Sequence, residues 1–275
     1  MKIGIAGYGF VGEALHRFFA RSPDLEIALY DKYRTAYAGS AAIDRLNGCD
    51  LVFIAVPTPF DDATGACDLS AVHEMVGLLR VPMCIKSTIP PGTLDALLAA
   101  TGKPIAFSPE YIGESAQHPW PNADSPGFVI CAGDRVTCRL VHDAFASVSS
   151  ELQFIETSPQ AAELAKYMEN SFLAMKVVFV NQFYDLARSA GVDYEELRRL
   201  FLLDDRVGAS HTEVHPARGF GGKCLPKDLK SIVAWGEDRT DVTFLRSILD
   251  VNDRMRDRAD SADVVLPAVP GYRKR

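Results

Sequence analysis

Along the first 157 residues, short apolar runs alternate with stretches of helical spacing. The runs at residues 2–6, 26–30, 51–56, 83–86 and 104–107 have the length of buried strands. After residue 12 the spacing turns helical through Leu15, Phe18 and Phe19, and further helices are predicted over about 69–79 and 93–100. Strand and helix in strict alternation predict a parallel doubly wound sheet. Strands at 128–131 and 152–155 and a helix near 136–146 complete it.

From Ser158, an N-cap residue followed by Pro159, one helical pattern runs to about Ala190. At 1.5 Å per residue it is roughly 50 Å long, more than a small domain needs. One stripe contains Met168, Phe172, Met175, Phe179 and Phe183, and a second Leu173, Val177, Val180 and Tyr184. Two apolar faces predict burial on both sides, against the chain's own small helices or between two subunits. Such stripes of aromatic residues and methionine read as core rather than as a ligand lining. Asp193 and Glu196 form a capping box for a short helix ending near Asp204, and helices from about Lys227 and Val242 lead to Met255. The expectation is a Rossmann-like α/β domain over 1–157 and an all-α domain with one long helix over 158–275.

Composition narrows the possibilities. A chain of 275 residues, 48% hydrophobic and 24% charged, suits one or two globular cores. The formal charge of −7 argues against general nucleic-acid binding. Six cysteines form no CxxC pair, which reads as a reducing compartment. No apolar run approaches the roughly 18 residues of a membrane span, and the first residues are a strand rather than a leader. A cytoplasmic protein without membrane contact is expected.

Candidate chemistry begins at GYGFVG. Gly7, Gly9 and Gly12 stand between a strand and a helix, where a dinucleotide fold needs a tight turn, an open approach for pyrophosphate and close packing of helix on strand. Asp31 ends the second strand, nineteen residues after Gly12, placed to accept hydrogen bonds from an adenosine ribose. That favours NAD over NADP, although Lys32 and Arg34 follow at once and could tolerate a 2′-phosphate. Three more loops follow strands: VPTP at 56–59, KSTIPPGT at 86–93 and SPEYIGE at 108–114. Thr58 and Thr88 offer hydroxyls to a cofactor or water, and Glu110 and Glu114 offer a base and a ribose or nicotinamide partner. Ordinary turn chemistry accounts for the same residues.

The richest stretch is 219–228, GFGGKCLPKD. Its glycines admit a close approach to the backbone. Cys224 lies just before a helix start marked by Pro226 and Asp228, with Lys223 and Lys227 beside it, a setting that favours the thiolate. A buried cysteine in a glycine turn is the plainer reading. The ten positions resemble the active-site motif GFGGxCxPKD of the UDP-glucose/GDP-mannose dehydrogenase family. AELAKYMENSF resembles its AxLxKxxxN context, DDRVG its DxRIG, and the three strand-end loops also look like family motifs.

The resemblance implies a dehydrogenase that takes a primary alcohol of a sugar nucleotide, or a related small alcohol, to a carboxylate with two NAD reduced. Cys224 would carry the thiohemiacetal and thioester. Lys166, Asn170 and Asp228 would manage alkoxide and water, the ammonium and amide stabilising the alkoxide as an oxyanion hole does, with Glu110 assisting hydrolysis and Thr88 positioning the water. Cofactor contacts would fall to Gly7, Gly9, Phe10, Val11, Gly12, Asp31, Thr58, Thr88, Glu114 and Lys227. Substrate would meet Glu110, Lys166, Asn170, Arg206, His211, Gly219 and Gly221. Taken alone, Lys166 and Asn170, four apart on one helical face, read as a solvated surface.

The family pattern is departed from after Glu114, where Ser115 opens a proline-rich segment, and at His211, where the family often has tyrosine. His211 and His215 suggest no metal site, because Pro216 and nearby glycines argue against the helix that would align them. Nothing matches the family's nucleotide-binding second α/β domain, so a short form is expected, paired as a homodimer through the long helix. Two alternatives stand beside this reading: a two-electron dehydrogenase of a smaller hydroxy compound, and a catalytically silent NAD-binding dimeric scaffold.

Overall fold

A computed structural model describes residues 1–112 and 127–260. The described residues form two compact units, divided between Tyr167 and Met168.

In the first unit the elements are β1 Lys2–Ala6, α1 Phe10–Phe19, β2 Glu26–Tyr30, α2 Ser40–Leu46, β3 Leu51–Ile54, β4 Phe60–Asp61, β5 Ala66–Cys67, α3 Ser70–Leu78, β6 Met83–Ile85, α4 Thr93–Thr101, β7 Ile105–Phe107, β8 Phe128–Gly133, α5 Arg135–Ala146 and β9 Gln153–Glu156. Seven strands form one sheet in the order β2-β1-β3-β6-β7-β8-β9, and β4 and β5 make a separate small hairpin. All pairings in the large sheet are parallel except β7 with β8, which runs antiparallel from Ala106↔Gly133 to Phe107↔Ala132. The doubly wound, mostly parallel sheet expected from the sequence is present, with the one reversal at β8, whose direction an apolar run does not record.

Period-two alternation divides the core into two layers. Val52, Ile54, Met83 and Ile85 face α2, α3 and α4, together with Leu46, Val76 and Leu97. Ile3, Ile5, Phe53 and Cys84 face α1 and α5, together with Phe18, Phe19 and Phe145. Phe19 stacks on Phe53 with ring centres 5.0 Å apart and meets Phe145 edge-on at 5.0 Å. The order of strands reverses at β1, so the turns after β1 and β3 diverge and open a crevice, the place where such sheets bind ligands.

The long helix is α6, Pro159–Ser189, and its first turns belong to the first unit. There Glu163, fully buried, accepts hydrogen bonds from Gly92 N (2.6 Å) and Leu94 N (2.8 Å) at the start of α4. Two of that helix's open donors are thereby satisfied.

In the second unit the rest of α6 joins α7 Tyr194–Phe201, α8 Leu225–Gly236 and α9 Thr243–Asp260. The short helix ends at Phe201 rather than near Asp204. On α6, Ala174, Val178, Val180 and Ala187 are buried, whereas Met168, Phe172, Phe179, Phe183 and Leu186 are exposed. The stripe read as core is therefore not core of this chain. Among the described residues no helix is long and apolar enough to cross a membrane.

Candidate active site

Glycine geometry shapes the crevice end of the first unit. Gly7 sits at φ +93°, and a Cβ there would lie 2.5 Å from the carbonyl oxygen of Ala55. A Cβ on Gly12 would lie 1.9 Å from Gly7 O, so only glycine lets α1 start this close to β1. Gly9 caps α1 and faces open space, with nothing within 4 Å of its Cβ position. The first N–H groups of α1, from Phe10 and Val11 onward, are then available to a phosphate. Asp31 is tied to the same turn. Its Oδ2 accepts from Tyr8 N at 2.8 Å, and its Oδ1 from Tyr33 N (2.8 Å) and Arg34 N (3.1 Å). A carboxylate has about four acceptor positions, so room remains for a ribose hydroxyl. Open space above Gly9, helix donors and an acid beside them fit a dinucleotide.

The loops after β3, β6 and β7 are joined by hydrogen bonds. Thr58 Oγ1 donates to Thr88 O at 2.9 Å, and Ser87 Oγ to Val56 O at 2.6 Å. Lys86, which ends an apolar run and opens the KSTIPPGT loop, proves to be buried. Its Nζ donates to Ser108 Oγ (3.1 Å) and Pro109 O (3.3 Å) and lies 3.3 Å from Glu110 Oε2. The other carboxylate oxygen of Glu110 accepts from Tyr111 N at 2.8 Å and Ile112 N at 3.2 Å. Glu110 is thus anchored through both carboxylate oxygens. Lys166 comes to this edge as well: its Nζ is 4.5 Å from the centre of the Tyr111 ring. Burial of Lys166 and Asn170, at 8% and 5% exposure, overturns the solvated-surface reading of the isolated pair.

Within the second unit, α6 and α9 hold the glycine loop. Asn252 of α9 accepts from Phe220 N at 2.6 Å, and Asn181 of α6 accepts from Gly219 N at 3.2 Å and from Arg218 Nε at 2.8 Å. A Cβ on Gly219, at φ +57°, would fall 2.5 Å from Asn252 Oδ1, and one on Gly221 2.8 Å from an Arg256 nitrogen. These glycines serve the packing of the loop on α9. Arg218 is buried with Asp185 Oδ2 at 2.9 Å and the Tyr184 ring at 4.8 Å. Asn181, Arg218, Asn252 and Arg256 carried no sequence signal beyond polarity within helical or loop patterns.

Cys224 is exposed and is the N-cap of α8, with Pro226 in the first turn. One turn on, Asp228 N donates to Cys224 O at 2.9 Å. The Asp228 carboxylate is 1% exposed, accepts from Asn170 Nδ2 at 2.5 Å and pairs with Lys227. Asn170, Lys227, Asp228 and the Cys224 backbone are therefore brought together. Arg206 instead lies at the surface, clasped by Asp204 at 2.5 Å, and His211 holds Ser210 Oγ at 2.6 Å through Nδ1. Glu114 lies outside the described residues. No disulfide links the six cysteines, and among the described residues no cluster of metal-ligating side chains occurs.

Residues 160–254 match the family model described as UDP-glucose/GDP-mannose dehydrogenase family, central domain. This stretch belongs to that family. The UDP-glucose 6-dehydrogenase of Rhizobium meliloti (strain 1021) is 30% identical over 254 residues, 86% of this chain and 55% of the relative. That of Pseudomonas aeruginosa is 30% identical over 258 residues, covering 86% and 56%. The chain thus spans about half the length of these curated relatives. Among solved structures, a UDP-glucose dehydrogenase from Pyrobaculum islandicum shares the fold, with a TM-score of 0.79 at 24% identity over 92% of this chain and 68% of that one. The matched stretch contains GFGGKCLPKD at 219–228, the loop that α9 supports, with Cys224 at the start of α8.

Proposed function

We propose that the protein is an NAD-dependent dehydrogenase that oxidises the primary alcohol of a sugar nucleotide to a carboxylate, through a covalent intermediate on Cys224. The observation that carries this reading is the arrangement around α8. An exposed thiol sits at the helix N-terminus, where the helix dipole favours its thiolate, and one turn away a buried carboxylate is fixed by Asn170 and Lys227.

Two NAD molecules, bound one after the other, would each accept one hydride, and Gly7, Gly9, Gly12, Asp31, Thr58 and Thr88 are the groups that would hold the cofactor. The chain's own groups do the rest. The alcohol loses its hydroxyl proton and the first hydride to give an aldehyde; Cys224 Sγ adds to the aldehyde carbon to give a thiohemiacetal, loss of its hydroxyl proton and the second hydride leaves a thioester, and water displaces the sulfur, returning the thiol and releasing the acid. Asn170 and Lys166 stabilise the alkoxide by an amide donor and an ammonium. Asp228, between Asn170 and Lys227, keeps both donors oriented. Glu110, anchored by Lys86 and two backbone N–H groups, places the water together with Thr88. Two copies pair through the exposed face of α6, and Arg206, outward-facing, serves substrate in the neighbouring copy. The site of action is the cytoplasm.

An absorbance assay for NADH with UDP-sugars, GDP-mannose and free alcohols, with products identified by mass, tests the reading. Two NADH per acid formed is the expected result. One NADH per aldehyde or ketone points to a two-electron dehydrogenase, and bound NAD without turnover of any alcohol points to a scaffold.

A further inference from the structure

Asp31 is one of three charged groups where the ribose of a dinucleotide would lie, because Lys32 and Arg34 follow it directly. An acid there selects NAD, whereas a nearby arginine or lysine accommodates the 2′-phosphate of NADP. Read from sequence, the two cations counteract the acid. In the folded unit neither is left to itself. Arg34 reaches from the end of β2 across the Tyr8 ring, its guanidinium carbon 5.0 Å from the ring centre, to Glu13 Oε1 at 2.5 Å in the first turns of α1. Lys32 Nζ turns the other way and binds both carboxylate oxygens of Glu74 on α3, at 3.0 and 2.9 Å. Each cation of the ribose edge has an acid as partner, and the acids come from two different helices.

We propose that Glu13 and Glu74 are specificity-determining residues that set this site against NADP, an inference that rests on the NAD reading above. They act in two ways. Each withholds a cation from a 2′-phosphate, and Glu13 adds a negative charge on the side of the glycine turn from which the dianion would approach. Opposite charges held close in partly exposed positions are individually weak, so the effect lies in partner choice rather than in stability. Asp31 is spared for the ribose because its own contacts are to backbone N–H groups and not to these cations.

Dissociation constants of NAD and NADP, measured by titration calorimetry on the whole chain, test the proposal without turnover. The wild type is expected to bind NAD at least tenfold more tightly than NADP. In Glu13→Gln/Glu74→Gln the NADP affinity should rise about tenfold relative to NAD, and adding Arg34→Ala to that variant should abolish most of the gain. Arg34→Ala alone should leave the ratio of the two constants within about twofold, since the guanidinium is already engaged; this variant serves even where the double variant fails to fold. An unchanged ratio in the double variant, or a marked loss of NADP binding in Arg34→Ala alone, overturns the proposal while a wild-type preference for NAD leaves the cofactor reading standing. A wild type that binds NADP as well as NAD, or neither, removes both.

Discussion

Asn170 Nδ2 donates a 2.5 Å hydrogen bond to Asp228 Oδ2, and both side chains are at least 95% buried although they lie 58 positions apart in the chain. A carboxylate taken from water needs such donors, because an uncompensated charge in the interior is costly. The bond joins α6 to the helix that begins at Cys224. Removing the amide by Asn170→Ala should cost about 1.5–3 kcal/mol, the range for hydrogen bonds to charged groups. Urea unfolding measures it; a loss under about 0.5 kcal/mol would show that the bond contributes little in solution.

Replacing the nucleophile tests the covalent route without disturbing the cofactor turn. Cys224→Ala should bind NAD as the wild type does and form no acid above background. Acid at the wild-type rate from this variant would sink the thioester step.

Gly219 and Gly222 both have positive φ but differ in surroundings. A methyl group at Gly219 meets Asn252 Oδ1 at 2.5 Å, while at Gly222, φ +77°, it meets nothing within 4 Å. Gly222→Ala should therefore cost only the backbone strain, about 1–2 kcal/mol. Gly219→Ala should add about 1–3 kcal/mol of overpacking and displace the Asn252–Phe220 contact. Equal melting shifts for the two variants would contradict the support assigned to α9.

Burial pushes the Glu163 carboxyl up from its ordinary value, against the pull of its two backbone donors. A raised folded value means that the folded chain holds the proton more tightly than the unfolded chain. Its contribution to stability is then full below the ordinary glutamate value of about 4.3 and is lost as pH rises through the folded value. Measured against Glu163→Gln, the wild type should lose relative stability across that window. A difference that moves in the wild type's favour with rising pH would reverse the assignment.

Exposure of Met168, at 77%, and of Phe172, at 54%, on a helix of 31 residues is unusual for an isolated chain. Pairing of two copies along α6 should give a scattering mass of two chains at micromolar concentration, and Phe179→Glu/Phe183→Glu should reduce it to one. Mixing inactive Arg206→Ala with inactive Cys224→Ala should restore activity if Arg206 serves the neighbouring copy. A monomeric wild type defeats the pairing, and a dimer without rescue defeats only the shared role.

By itself the sequence determined what depends on neighbours along the chain. Apolar runs of strand length, the turn at Gly7, Gly9 and Gly12, Asp31 at a strand end and the helix start after Cys224 are local patterns, and the structure has each of them. Tertiary packing decided the rest, because burial, partners and strand direction depend on what comes from elsewhere in the chain. It placed β8 antiparallel to β7, a direction no hydrophobic run encodes. The same packing left Phe172 and Phe179 outside the chain's own core while burying Asn170 on the same helix. Lys86 and Glu110 are 24 positions apart, and only the adjacency of β6 and β7 makes them an ion pair. Glu13 and Arg34 meet for a similar reason: β2 lies beside β1, so the chain leaving its end passes over the turn where α1 begins.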